Sequence, residues 1–85
     1  MLVKWKLICI SLVKIVIPDS VTYIGKSAFD DCHKLVKVVI PNSVTYIEYY
    51  AFYGCYDLTS VTMPKLFEPQ KGNIFGYNYI EFTYT

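Results

Sequence analysis

The chain has 85 residues, a net charge of +1, 54% hydrophobic residues and only 18% charged ones. That length fits one small domain, or part of a larger array, burying about 60–65% of the surface its unfolded form exposes. The apolar content excludes a disordered chain, and the balanced charge offers neither a basic face for nucleic acid nor an attraction to anionic lipid.

At the start, Lys4 and Lys6 precede an apolar run from Leu7 to Val13. This is the bare minimum of a signal peptide, and no small-x-small cleavage site follows. The run is too short to cross a bilayer. From Cys9 onward the letters are in phase with what comes later, so the segment reads as structure.

The first predicted strand is Leu12–Ile17, followed by Pro18, which has no N–H to give to a ladder and so ends it. Asp19 and Ser20 suit a corner, where short polar side chains bond nearby backbone. Val21 and Ile24 then return to the core. The same sentence is written again 23 residues later: IPDSVTYI (17–24) becomes IPNSVTYI (40–47). Aligned in full, 17–39 and 40–62 agree at 12 of 23 positions, including Ala28/Ala51, Phe29/Phe52, Cys32/Cys55 and Leu35/Leu58. The second and third strands are therefore Leu35–Ile40 and Leu58–Met63. Within each, side chains alternate. Val38 and Ile40 face inward, while Lys37 and Val39 face out, as do Lys14 and Val16 before them and Ser60 and Thr62 after them.

Between strands, Tyr49 to Tyr56 reads as a short helical or 3₁₀ stretch, because Ala51, Phe52 and Cys55 share one helical face. Phe29, Phe52 and Phe75 should stack as a hydrophobic spine, with Val21, Val44 and Phe67 as a second column. After Phe75 the repeat decays. Asn78 stands where Cys is expected and Glu81 where Leu is expected. The alternation of Ile80, Phe82 and Tyr84 with Glu81, Thr83 and Thr85 still suggests a last strand pairing with Leu58–Met63. Residues 1–8 do not fit the repeat. The domain is thus 1–85, with a partial repeat at about 9–16, complete ones at 17–39 and 40–62, and a degenerate one at 63–85.

The unit IPxSVTxIxxxAFxxCxxLxxVxIP resembles the BspA-like leucine-rich repeat family, whose units have 23 residues; the resemblance covers about Cys9 to Phe75. It implies a repeat solenoid, a right-handed leucine-rich-repeat coil with a short parallel β-sheet on the concave side and short helical, 3₁₀ or irregular convex segments. It also implies a cell-surface or secreted protein engaged in adhesion and protein–protein contact rather than catalysis.

The residues themselves offer little chemistry. Cys9, Cys32 and Cys55 occupy one repeat position, which reads as a buried column rather than a metal site; adjacent turns could bring two within disulfide range, but an odd count leaves one over. His33, beside Asp30 and Asp31, reads as a solvated loop, since a metal needs three or four convergent ligands. Gly25-Lys26-Ser27 lacks the upstream glycine of a phosphate loop, that position being Ser20. No catalytic, cofactor or metal residue is assigned. Lys14 and Lys37 read as gatekeepers against aggregation or as contacts for an acidic partner. The expected interaction surface is Lys14, Lys37, Val39, Ser60 and Thr62 on the sheet, with Tyr49, Tyr50 and Tyr53 among the rim tyrosines, since Tyr is enriched in interfaces. The expected function is a non-catalytic binding or adhesion module without cofactor, nucleic acid or membrane insertion. The alternative is a structural unit that stacks end to end on identical chains through uncapped repeats.

Overall fold

The computed structural model of the chain describes residues 2–3, 12–26, 28–29, 31–76 and 79–85, the first two as backbone. Seven strands are present among them: β1 Leu2–Val3, β2 Lys14–Val16, β3 Tyr23–Ile24, β4 Lys37–Val39, β5 Tyr46–Ile47, β6 Ser60–Met63 and β7 Glu81–Tyr84. A 3₁₀ helix over Lys65–Gln70 runs into a short α-helix, α1, at Lys71–Phe75. Every strand pairing is parallel. The larger sheet has the order β2-β4-β6-β7 and the smaller one β1-β3-β5. From β1 to β6 successive strands alternate between the two sheets, one strand of each per turn, whereas β7 follows β6 within the larger sheet.

The corners follow from the repeated phrase. Pro18, Pro41 and Pro64 each leave a strand of the larger sheet, and each carbonyl accepts from the N–H three residues on, at Val21, Val44 and Phe67. The polar corner residues also reach the neighbouring turns. The Ser43 hydroxyl donates to the Val21 carbonyl at 2.8 Å, and Asn42 Oδ1 accepts from the Thr85 hydroxyl at 2.7 Å. The strand that follows each corner was read only as core contacts at Val21, Ile24, Val44 and Ile47; it forms a second ladder, with Tyr23 opposite Tyr46 and Ile24 opposite Ile47.

The stretch 49–56 is not a helix. Its backbone N–H groups bond across turns: Tyr50 to the Asn73 carbonyl and Phe52 to the Ile74 carbonyl, just as Phe29 and Asp31 of the preceding turn donate to Ala51 and Tyr53. Tyr50 and Gly54 have φ of 63° and 83°, a left-handed conformation that cannot propagate a right-handed helix. Asp31, at the position of Gly54 one turn earlier, has φ 59°. Asp is among the few non-glycine residues that tolerate this region.

The core is a set of columns. Phe29 stacks on Phe52 with ring centroids 4.9 Å apart, and Phe52 on Phe75 at 5.1 Å. Val21, Val44 and Phe67 form the second column, all buried. No polar or charged residue is buried as a whole among the described residues. Cys32 and Cys55 are both fully buried, as the column reading requires. They differ in chemical state: Cys32 is disulfide-bonded, whereas the Cys55 thiol donates to the Phe29 carbonyl at 3.2 Å. Cys9 lies outside the described residues, as do Ser27, Asp30 and Asn78.

Both ends depart from the 23-residue spacing in the same way. β7 pairs with β6 with Ser60 opposite Glu81 and Val61 opposite Phe82, an offset of 21. β1 pairs with β3 with Leu2 opposite Tyr23, again an offset of 21. Leu2 and Val3 therefore belong to the solenoid, although they do not fit a comparison at a shift of 23. Between Phe52 and Phe75 the offset is still 23, so the last turn loses its two residues between Phe75 and Glu81.

Candidate functional site

The outward face of the larger sheet is built by strand alternation and register. β2, β4, β6 and β7 align Lys14, Lys37, Ser60 and Glu81 in one row across the strands. Val16, Val39, Thr62 and Thr83 form the next row. The inward positions between these rows, Ile15, Val38 and Val61, are buried. Lys14, Val16, Lys37, Glu81 and Thr83 are exposed, while Val39, Ser60 and Thr62 are half-buried. The first row runs from two adjacent ammonium groups to a carboxylate, so the face is basic at one edge and acidic at the other. Glu81 and Thr83 complete the rows, and the shortened last turn conceals this from a comparison at a shift of 23.

Tyr49, Tyr50 and Tyr53 lie elsewhere, on the corner between β5 and β6. All three are about half exposed. They form a cluster, with Tyr50 edge-on to both Tyr49 and Tyr53 at 5.5 and 5.0 Å. Lys26 Nζ sits 5.6 Å from the centre of the Tyr49 ring. The eight expected surface residues therefore divide into two groups on different elements, five on the sheet and three on the corner.

Beside the corner lies the most coupled polar group. The Tyr23 phenol donates to the Glu48 carboxylate, whose Oε2 also accepts from the Lys26 backbone N–H at 2.9 Å. The hydrogen bond to Glu48, with a smaller contribution from desolvation, pushes the Tyr23 phenol up to about 12. The same bond, assisted by the Lys26 amide, holds the Glu48 carboxyl below the usual carboxylate value. These contacts join consecutive turns where the two repeats differ most, Gly25-Lys26-Ser27 against Glu48-Tyr49-Tyr50.

His33 is exposed, 3.8 Å from Asp31 and stacked on Tyr56 with centroids 5.7 Å apart, in keeping with a solvated loop. Among the described residues, no group of three or more His, Cys, Asp or Glu could hold a metal ion. No helix among them is long and apolar enough to cross a membrane.

Comparison with known proteins gives the same architecture. Residues 7–83 match the family model of the BspA type leucine rich repeat region (6 copies). A crystal structure of a leucine-rich repeat protein from Bacteroides ovatus is similar at 36% sequence identity, with a TM-score of 0.79. The match covers 91% of this chain and 20% of that one, so the chain spans a fifth of that protein's length. No curated protein sequence matches. Stacked parallel turns, the 23-residue phrase and the phenylalanine spine have one common explanation: the chain belongs to the BspA-type leucine-rich repeat family.

Proposed function

We propose that residues 1–85 form one non-catalytic interaction or adhesion module that binds a protein partner through the outward face of the larger sheet, Lys14, Lys37, Val39, Ser60 and Thr62, with Tyr49, Tyr50 and Tyr53 as a second contact area. The observation that carries this reading is the in-register row Lys14, Lys37, Ser60, Glu81. An array of exposed and half-buried side chains, held in register by a parallel ladder, presents a partner with pre-ordered groups at low entropic cost. Paired lysines at one edge favour an acidic patch there. The non-catalytic part of the reading rests on the leucine-rich repeat family. Display at the cell surface or outside the cell belongs to the same proposal and rests on the family resemblance.

The test is selection of peptides from a displayed library against the folded chain, followed by affinity measurement on the Lys14→Glu/Lys37→Glu variant. We expect acidic ligands that lose at least about tenfold in affinity, equivalent to 1.4 kcal/mol. Ligands that bind the variant equally well would place recognition elsewhere.

A second reading, end-to-end self-assembly, is favoured by the last rung of the sheet. Phe82 and Tyr84 are paired with Val61 and Met63, which are fully buried, yet are themselves only half-buried. The Tyr84 hydroxyl is buried with no hydrogen-bond partner among the described residues. A further turn from a second copy would cover the half-buried Phe82 and Tyr84 rings in a head-to-tail, non-closing contact. Sedimentation over a wide concentration range decides it: association that Phe82→Lys abolishes supports stacking, and a clean monomer at high concentration excludes it.

A further inference from the structure

The smaller sheet stops where the solenoid does not. One turn after Tyr46 and Ile47, at a shift of 23, stand Pro69 and Gln70, and these lie in the 3₁₀ helix instead of a strand. Among the described residues β5 is consequently an edge, paired with β3 on one side only. On its other side a cleft of about 250 Å³ opens, lined by Tyr46, Ile47, Tyr49, Gln70, Asn73 and Ile74.

We infer that this cleft is a binding site for one ring of a neutral saccharide, apart from the outward face of the larger sheet but sharing Tyr49 with the second contact area proposed above. The first argument is the tyrosine ladder. The Tyr23 and Tyr46 rings are stacked 5.4 Å apart and only 4° from parallel. Tyr23 thus covers one face of Tyr46. The ring remains 54% exposed, and the cleft lies on the side away from Tyr23, where the next turn would have placed a third ring. A pyranose presents a face of C–H groups that packs flat on such an aromatic surface, so the sugar takes the position of the missing rung.

The second argument is the lining chemistry. None of the six lining residues carries a formal charge, which disfavours phosphates, nucleotides and carboxylates, because these need a cation or a helix N-terminus. Gln70 and Asn73 supply primary amides, and Tyr46 and Tyr49 supply phenols. Every one of these groups can both donate and accept. Sugar hydroxyls do both as well, so this uncharged mixed set is complementary to them. Ile47 and Ile74, both buried, provide an apolar floor.

The third argument is pre-organisation. The Asn73 carbonyl accepts from the Tyr50 N–H at 2.6 Å, and the Ile74 carbonyl accepts from Phe52. These bonds fix α1 to the turn beneath it, so the wall carrying Gln70 and Asn73 has a set distance from β5. The volume lies just under the roughly 300 Å³ at which small-molecule pockets usually begin, which limits the occupant to a single ring with its neighbours in solvent. An added peptide strand is a poorer fit, since β5 offers only two residues as a template.

The experiment is a titration of the whole ¹⁵N-labelled chain with cellotetraose and, separately, with chitotriose at millimolar concentration, followed by amide shifts. We expect saturable shifts confined to residues 46–50 and 70–74. Tyr46→Ala should weaken binding about tenfold and Gln70→Ala several-fold, whereas Tyr56→Ala, whose ring stacks on His33 and does not line the cleft, should leave it unchanged. Gln70 is exposed, so its variant folds even if loss of Tyr46 disturbs the ladder, and dispersion of the spectrum reports folding in each case. Absence of saturable shifts with both sugars, shifts spread over the chain, or shifts insensitive to Gln70→Ala would each overturn the inference. So would displacement of the sugars from these residues by an uncharged peptide that binds more tightly.

Discussion

The two interior turns, 17–39 and 40–62, and the last turn, 63–85, fill equivalent places in the stack but are held differently. The interior turns repeat each other closely, and each is covered on both sides. Val38, Val61, Phe29 and Phe52 are all completely buried. The last turn keeps the phenylalanine of the spine and a strand of the larger sheet. Otherwise it exchanges the second strand for two short helices and drops two residues before β7. An interior turn gains apolar contacts from two neighbours, so a repeated sequence suffices. In the last turn, helical segments and aromatic side chains take the places that a second strand and aliphatic side chains hold in the interior turns.

The sharpest way to break this comparison is to remove a spine residue from each region. Phe52→Ala deletes a ring sandwiched between Phe29 and Phe75 and leaves a cavity open to neither end. We expect a loss of about 3–5 kcal/mol, a large share of a total stability on the order of 5–15 kcal/mol. Phe82→Ala removes a half-buried ring from the last rung and should cost about 1–2 kcal/mol. Urea unfolding of both variants measures the contrast, and equal losses would show that the last turn is as tightly packed as the interior.

Glycine substitutions make the same comparison at the backbone. Gly54 has φ 83°, and a Cβ there would run into the Asp31 side chain of the preceding turn. Gly76 has φ 76°, but its Cβ would meet the Tyr53 ring at an ordinary contact distance of 3.4 Å. Gly76, with ψ −168°, lies in a region essentially confined to glycine, so its alanine variant should lose about 1–3 kcal/mol through the backbone. Gly54→Ala should lose stability chiefly through the displaced Asp31 carboxylate, and thermal unfolding should place both variants below the parent chain.

This division also explains what could be read from the letters. Where neighbouring turns impose identical demands, the demands show as identical residues. The strands at 14–16, 37–39 and 60–63, the proline corners and the phenylalanine and valine columns were all visible in this way. The second sheet was not, because Tyr23-Ile24 and Tyr46-Ile47 are too short to show an alternation. The helix expected at 49–56 rested on the spacing of Ala51, Phe52 and Cys55. Spacing does not reveal that the N–H groups there bond to the next turn or that Tyr50 and Gly54 have positive φ. Offsets of 21 at both ends hid β1 from the repeat and put Glu81 and Thr83 out of phase with Ser60 and Thr62. On the candidate surface, five of the eight chosen residues form one face because they follow strand alternation, which is readable. The cleft beside Tyr46 depends on Gln70 and Asn73 folding back against β5, and that is a tertiary fact.

The smallest effect concerns the polar link that only the interior turns possess. At a shift of 23 from Glu48 stands Lys71, whose ammonium lies 5.3 Å from the Phe82 ring, so the last turn replaces a hydrogen bond with a cation–aromatic contact. The Tyr23 phenol is raised to about 12 because its proton is held by Glu48, and the unfolded value is near 10. Between those values the folded chain binds more protons than the unfolded one, so stability must fall as pH rises. The stabilisation is complete below pH 10 and is lost as the pH passes through about 12. Glu48 has the opposite sense. Its carboxyl is held below its ordinary value, so its contribution is present above the ordinary carboxylate range and is lost as the pH falls beneath it. Glu48→Gln removes the charge that holds the phenol proton. Its expected signature is a Tyr23 titration that returns toward 10, followed by the ring carbon resonance, together with a flatter stability profile between pH 10 and 12. A Tyr23 midpoint that stays near 12 in this variant would mean that desolvation beside the Tyr46 ring, rather than the bond between turns, sets its acidity.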